Sequence, residues 1–190
     1  MSSVADFDVY DIRAPSNDPN PPKTYSTYIS QASVKKAIGA KSTYQECSNA
    51  AGRGFSNTGD STFPFSPPPP SNPTTNLSQL DSRSFLSELS TVVQSGVTTL
   101  VWAGDADWIC NWYGGLAAAN AISYSGQSTF KKLPVKSYTV NGTAGGTFKT
   151  QGNLSWMRVF GAGHEVPFYT PALALQAFVQ TMQGKAISST

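Results

Sequence analysis

Two largely apolar segments, each followed at once by a glycine-containing loop, constrain the fold of this 190-residue chain more than any other feature. Val97–Ala103 and Leu154–Phe160 have the pattern typical of strands that are buried on both faces. Residues 104–107 (Gly-Asp-Ala-Asp) end the first segment, and residues 161–164 (Gly-Ala-Gly-His) end the second. Functional groups of open α/β sheets collect in loops beyond the carboxyl ends of strands. The sequence therefore predicts a site where acidic side chains meet the sole histidine.

The segments around these strands predict an α/β fold with a mostly parallel sheet, because strands and helices alternate along the second half. The stretch before residue 22 is turn-rich and is predicted to be a loop or an extended segment. Residues 133–140 and 147–150 predict a hairpin around a loop at 141–146. Apolar spacing and end signals predict helices over Ser33–Ile38, Leu77–Val93, Asn111–Ala121 and Pro171–Gln183.

The charge balance and the length of the apolar runs together exclude two classes of protein. Charged residues make up 13% of the chain, and the formal net charge is +2. That balance excludes binding of nucleic acid through a basic surface. No apolar run approaches the ~20 residues that span a bilayer, and the N-terminus lacks the pattern of a signal peptide. We therefore expect a chain that binds neither nucleic acid nor membrane.

Cysteines and glycosylation motifs give weaker indications. Cys47 and Cys110 are too few for a disulfide scaffold or, by themselves, for a structural zinc site. A metal would need carboxylate ligands as well, and we expect none. Asn-x-Ser/Thr triplets suggest, without establishing, a secretory context; they begin at Asn76, Asn141 and Asn153.

The chemistry that the two loops offer is a histidine oriented by a carboxylate. A carboxylate that accepts from one ring nitrogen fixes the tautomer and leaves the other nitrogen as a general base. Taken singly, an Asp after a strand is as often a helix cap or turn former. A single loop histidine is more often structural than catalytic. Their joint placement makes the catalytic and structural readings about equally favoured.

Longer motifs around the two loops carry a resemblance to a known family. Residues 102–112 (WAGDADWICNW) and 159–168 (VFGAGHEVPF) resemble the acid and histidine motifs of the serine carboxypeptidases, most closely those of fungal members. Residues 8–13 (DVYDIR) and 55–60 (FSNTGD) are similar to weaker landmarks of the family. The resemblance implies an α/β-hydrolase fold, secretion or vacuolar delivery, and removal of C-terminal residues from peptides. It covers most of the chain and is strongest from about Val97 onward. We expect residues 1–190 to form part of one domain, of which 1–96 are partly irregular and Pro-rich and 97–184 carry both motifs.

The resemblance also implies roles for individual residues. Asp107 corresponds to the catalytic acid and His164 to the general base, whereas Asp105 matches an Asp that shapes the loop. Cys110 matches a free thiol that lines the pocket for the residue before the scissile bond. Glu165 borders the pocket for the released residue, although a solvated loop charge would be the ordinary interpretation of it. Cys47 falls where family members form a disulfide with the N-terminal half.

No Gly-x-Ser-x-Gly pentapeptide occurs anywhere in the 190 residues, although the hydrolase order places a nucleophilic serine before the acid. The family's glycine-rich oxyanion segment is also missing. We therefore expect the C-terminal portion of a carboxypeptidase, with an N-terminal half as obligatory partner and no cofactor. The alternative is an inactive remnant that binds a peptide or protein through the inherited cleft. An acyltransferase on the same fold is a weaker third possibility.

Overall fold

The structure is a computed structural model that describes residues 6–18, 22, 24–44 and 85–190. It divides into two compact units, one formed by residues 1–18 and 85–190 and the other by residues 19–84. Cys47, Asn76, the landmark at 55–60 and the first part of the predicted helix Leu77–Val93 lie outside the described residues.

The larger unit contains two strands, a helix and a four-stranded sheet with further helices. In chain order its elements are β1 (Phe7–Asp8), β2 (Asp11–Pro15), α3 (Leu86–Gln94), β3 (Thr99–Gly104), α4 (Trp112–Ala121), α5 (Gln127–Lys132), β4 (Lys136–Val140), β5 (Thr143–Gln151), β6 (Leu154–Val159), α6 (Val166–Tyr169) and α7 (Pro171–Met182). The smaller unit contributes α1 (Thr24–Ile29) and α2 (Ala32–Ala37), and Gly39 follows α2 with a φ of 70°.

The sheet is mixed, so the expectation of a mostly parallel sheet is wrong for the part of the chain that the structure describes. Its strand order is β3-β6-β5-β4. Only β3 and β6 are parallel, and the two other pairs are antiparallel. The reason is connection length: two residues join β4 to β5 and two join β5 to β6. Connections that short can only reverse the chain.

The hairpin turn is also shorter than predicted. It consists of Asn141 and Gly142, whose φ values of 50° and 76° suit the two-residue turn that matches strand twist. Gly145 and Gly146, which we expected in the loop, lie inside β5. A Cβ at position 146 would collide with the carbonyl oxygen of Arg158 on the neighbouring strand. These glycines therefore serve close packing and not chain reversal.

The core lies on both faces of the sheet, as the segment Leu154–Phe160 predicts. The segment Val97–Ala103 is only partly buried, because its strand β3 lies at the edge among the described strands. β6 is the central contributor, with Leu154 and Trp156 facing one cluster and Met157 and Val159 facing the other. The first cluster includes residues from α3, α4 and α5, and the second is covered by α7. This burial fixes the carboxyl ends of the parallel strands β3 and β6, where both candidate loops begin.

Three helices, α1, α5 and α6, and a hairpin were not predicted from the sequence. The N-terminal segment forms the antiparallel pair β1–β2 where we expected a loop or an extended segment. Helices α5 and α6 are only six and four residues long, too short to show a clear helical period. Among the described residues, no helix combines the length and apolar character needed to cross a membrane.

Candidate active site

The acid loop and the histidine loop lie side by side because β3 and β6 are parallel neighbours in register. Ala103 pairs with Arg158 and Gly104 with Val159, so both strands end at the same level. The amide of Ala106 donates to the carbonyl oxygen of Ala162 at 2.9 Å, which extends the pairing into the loops. A Cβ at Gly104 would collide with the carbonyl oxygens of Ala162 and Gly163, so only glycine allows this approach.

Asp107 and His164 face each other across the two loops. Nδ1 of His164 lies 2.9 Å from Oδ2 of Asp107. The Asp107 side chain is only 2% exposed, whereas that of His164 is 37% exposed. An ionised carboxylate can only accept, so this contact assigns the proton to Nδ1 and leaves Nε2 as the acceptor. The arrangement can therefore take a proton from a hydroxyl that approaches Nε2.

The second oxygen of Asp107 is also engaged. Oδ1 accepts from the backbone amide of Cys110 at 3.0 Å. A buried carboxylate with both oxygens hydrogen-bonded is held in one orientation and avoids the cost of an unsatisfied charge. Asp107 is thus fixed as an acceptor for the imidazole.

Asp105 lies nearby and has different partners. Its Oδ1 accepts from the amide of Gly161 at 2.9 Å, and its Oδ2 lies 3.5 Å from Nη2 of Arg158. Arg158 in turn lies 4.3 Å from the ring centre of Trp112. Asp105 therefore ties the end of β6 to the acid loop, while Asp107 contacts the imidazole.

Cys110 lies within this group of side chains. Its Sγ, a carboxylate oxygen of Asp107 and a ring nitrogen of His164 all lie within 4.8 Å of one another. Burial, with the charge of Asp107 as a smaller cause, raises the pKa of the Cys110 thiol above its ordinary value. Three such ligand atoms are of the types that can hold a metal ion. The hydrogen bond between Asp107 and His164 is also the arrangement that a proton-transfer pair needs.

Glu165 follows the histidine and precedes α6. One of its carboxylate oxygens, Oε2, is buried and has no hydrogen-bond partner among the described residues. Its charge is one of the smaller causes that raise the pKa of Tyr169. A buried carboxylate oxygen without a partner carries a desolvation cost that no hydrogen bond among the described residues offsets.

The backbone of the N-terminal hairpin also contributes to the site, which sequence reasoning did not predict. The carbonyl oxygen of Tyr10 accepts from the amide of His164 at 2.8 Å. The centres of the Tyr10 and His164 rings lie 5.1 Å apart. The sequence signal that could have indicated this contact is the motif at 8–13, which resembles a family landmark but to which we assigned no function.

Comparison with known proteins shows the family of the chain. The family model described as serine carboxypeptidase matches residues 6–184. Carboxypeptidase S1 of Penicillium janthinellum is 56% identical over all 190 residues, which span 40% of that protein. Carboxypeptidase S1 homolog A of Arthroderma otae is 34% identical over 97% of the chain and 26% of its own length. The chain therefore spans less than half the length of these relatives.

A solved structure shows the same fold at lower sequence identity. The crystal structure of Kex1(Δ)p, a prohormone-processing carboxypeptidase from Saccharomyces cerevisiae, matches with a TM-score of 0.61 and 21% identity. The match covers 100% of this chain and 41% of the yeast chain. By its sequence, and with a fold like that of a known carboxypeptidase, the chain belongs to the serine carboxypeptidase family.

Proposed function

We propose that this chain is the C-terminal portion of a serine carboxypeptidase that releases C-terminal residues from peptides through an acyl-enzyme. The observation that carries the proposal is the contact between Nδ1 of His164 and the buried carboxylate of Asp107. This is the geometry in which a histidine acts as general base and then as general acid. The intact pair does not favour the alternative of an inactive remnant.

In the proposed mechanism a serine outside this chain attacks the scissile carbonyl. Nε2 of His164 takes the serine proton and later returns it to the leaving amine. Asp107 orients the imidazole and stabilises its charged form. No metal or organic cofactor takes part in these steps.

The substrate-facing residues in this proposal are Cys110 and Glu165. The thiol of Cys110 lies close to the imidazole, so it would border the residue before the scissile bond. Glu165, which follows His164 directly in the chain, would border the released residue. The substrate class is a peptide with a free C-terminus.

The proposed partner is an N-terminal half that supplies the serine and the oxyanion donors. Among the described strands, β3 lies at the edge of the sheet. Its residues Leu100, Val101 and Trp102 are only partly buried, and an unpaired edge of this kind accepts a further strand. We propose delivery of the protein to the secretory pathway or the vacuole, in line with its sparsely charged composition and its sequons.

A chimera tests the function directly. The 190 residues would replace the matching 40% of the Penicillium janthinellum relative, and release of the C-terminal amino acid from a blocked dipeptide would be measured at mildly acidic pH. We expect turnover in the chimera, none with the chain alone, and none with His164→Ala. A folded chimera without turnover, or an active His164→Ala variant, would contradict the proposal.

A further inference from the structure

A short segment of the N-terminal hairpin, Val9–Arg13, contacts both loops of the candidate active site. On the acid loop, the carbonyl oxygen of Val9 accepts from the amides of Trp108 and Ile109, at 3.2 and 3.1 Å. The amide of Ile12 donates to the carbonyl oxygen of Ala106 at 3.0 Å. These bonds fix the backbone on both sides of Asp107.

The same segment also contacts the histidine loop, through Tyr10, which lies between Val9 and Ile12. Tyr10 accepts from the amide of His164 at 2.8 Å, and a Cβ at Gly163 would lie 2.5 Å from the same carbonyl oxygen. Gly163 therefore allows the loop to lie directly on the hairpin. Because Val9 and Ile12 hold one loop and Tyr10 holds the other, the conformation of this segment sets the spacing between Asp107 and His164.

Within that segment, the carboxylate of Asp11 accepts three hydrogen bonds from Arg13. Oδ1 accepts from Nε of Arg13 at 2.8 Å and from the Arg13 amide at 3.0 Å, while Oδ2 accepts from Nη2 at 2.6 Å. Asp11 is 4% exposed, so a paired guanidinium is needed to offset the cost of burying its charge. Hydrogen bonding to Arg13 holds the pKa of Asp11 below its ordinary value, so the carboxylate stays ionised.

Tyr169 connects Asp11 to the helix that follows the histidine. Its ring and the Asp11 side chain both pack against Gly163, and the guanidinium carbon of Arg13 lies 5.4 Å from its ring centre. Burial and the contact with Asp11 raise the pKa of Tyr169 to about 12, so its hydroxyl stays a donor. One carboxylate thus joins the hairpin to α6, five residues beyond His164.

We propose that Asp11 is a positioning residue for the reaction, which holds His164 against Asp107 through Arg13, Tyr169 and the backbone of Tyr10. It touches neither substrate nor the reacting atoms. This inference rests on the proposed function, but its effect on the imidazole can be measured without turnover.

The test compares Asp11→Asn, Tyr169→Phe and the control Asp6→Asn in the chimera. Asp6 belongs to the same N-terminal segment and is exposed. We expect kcat per active site to fall by ~10- to 100-fold in Asp11→Asn, as for a small misplacement of a catalytic group, with KM changed less than about twofold. Tyr169→Phe should show a smaller loss of kcat, and Asp6→Asn should match the parent.

The second readout is the imidazole itself. His164 is the sole histidine of the 190 residues, so segmental labelling with ¹⁵N-histidine gives ring resonances from that residue alone. We expect Asp11→Asn and Tyr169→Phe to move the Nδ1–H resonance in the direction that Asp107→Asn moves it. Asp6→Asn should leave the resonance in place.

A purely structural role for Asp11 predicts a different result. The number of sites titrated by a serine-directed reagent would fall, while kcat per site and the ring resonances stayed at the parent values. That result would overturn the proposal. If the parent chimera lacks turnover, the proposed function fails and the ring resonances still decide the role of Asp11. If Asp11→Asn does not fold, Tyr169→Phe decides in the same way.

Discussion

Nδ1 of His164 lies 2.9 Å from Oδ2 of Asp107, although 57 residues separate them along the chain. The contact depends on parallel pairing of β3 with β6, which brings the two strand exits to one level. It depends equally on the hairpin segment Val9–Arg13, which holds both loops by backbone hydrogen bonds. The site is therefore assembled from three distant stretches of sequence.

Gly163 should tolerate no side chain. In Gly163→Ala the new Cβ would meet the Tyr10 carbonyl oxygen at 2.5 Å, and we expect the free energy of unfolding to fall by ~1–3 kcal/mol, as for other overpacked sites. Gly115→Ala is the matched control, because its Cβ would meet its nearest neighbours at 3.7 Å within helix α4. That change should be neutral or stabilising by ~0.5–1 kcal/mol. Urea denaturation of the chimera measures both, and equal effects would contradict the close approach.

Cys110 should behave as a free thiol of low reactivity at neutral pH. Burial and the charge of Asp107 raise its pKa above the ordinary value of 9.0, so the reactive thiolate forms only at higher pH. We expect alkylation by iodoacetamide to accelerate only above pH 9.0, and to be faster at a given pH in Asp107→Asn. Peptide mass spectrometry measures the rate. A half-maximal rate below that pH, or a Cys47–Cys110 disulfide, would contradict the prediction.

Two of the three sequons differ in their suitability for glycosylation. Asn141 is exposed at the turn between β4 and β5. The side-chain nitrogen of Asn153 instead donates to the carbonyl oxygens of Val93 and Val97, at 2.9 and 2.7 Å. A glycan on that nitrogen would remove one of its two donors. Glycopeptide mapping after secretion from a fungal host should find Asn141 occupied and Asn153 bare, with Thr143→Ala as the control that removes the Asn141 sequon.

The 190 residues made without a partner should be poorly soluble or self-associated. β3 is an edge strand among the described strands, and α7 exposes Leu175, Phe178 and Met182. Unpaired edges and exposed apolar side chains promote association with other chains. Light scattering and thermal melting decide the point. A monodisperse monomer with a sharp melt would show that the chain closes its own core.

The parts of this structure that the sequence predicted are those governed by local apolar pattern and by long motifs. The predicted strand at Leu154–Phe160 is observed at Leu154–Val159, and the predicted last helix differs by one residue at its end. The family was also recognisable, since its acid and histidine motifs are both long and in order. Matching of residues 6–184 to the serine carboxypeptidase model confirms that identification.

The rest could not be predicted because it depends on packing between distant elements. Gly145 and Gly146 have the composition of a turn, yet they lie in β5, where the backbone of Arg158 and the side chain of Leu173 leave no room for a Cβ. The role of Tyr10 as acceptor for His164 involves only its backbone carbonyl, which carries no sequence signal. The predicted hairpin gave the direction of β5 relative to β4 correctly, but not the antiparallel pairing of β5 with β6, which follows from the two-residue connection between them.

The most direct test of the central claim compares the two carboxylates of the acid loop in the chimera. Asp107 contacts the imidazole, while Asp105 contacts the amide of Gly161 and the guanidinium of Arg158. Turnover of a blocked dipeptide, measured per serine site, should fall by about 10⁴-fold in Asp107→Asn, as for loss of a triad acid, and much less in Asp105→Asn. Equal losses in the two variants, or full turnover in Asp107→Asn, would contradict the assignment of Asp107 and His164 as the acid and base of this site.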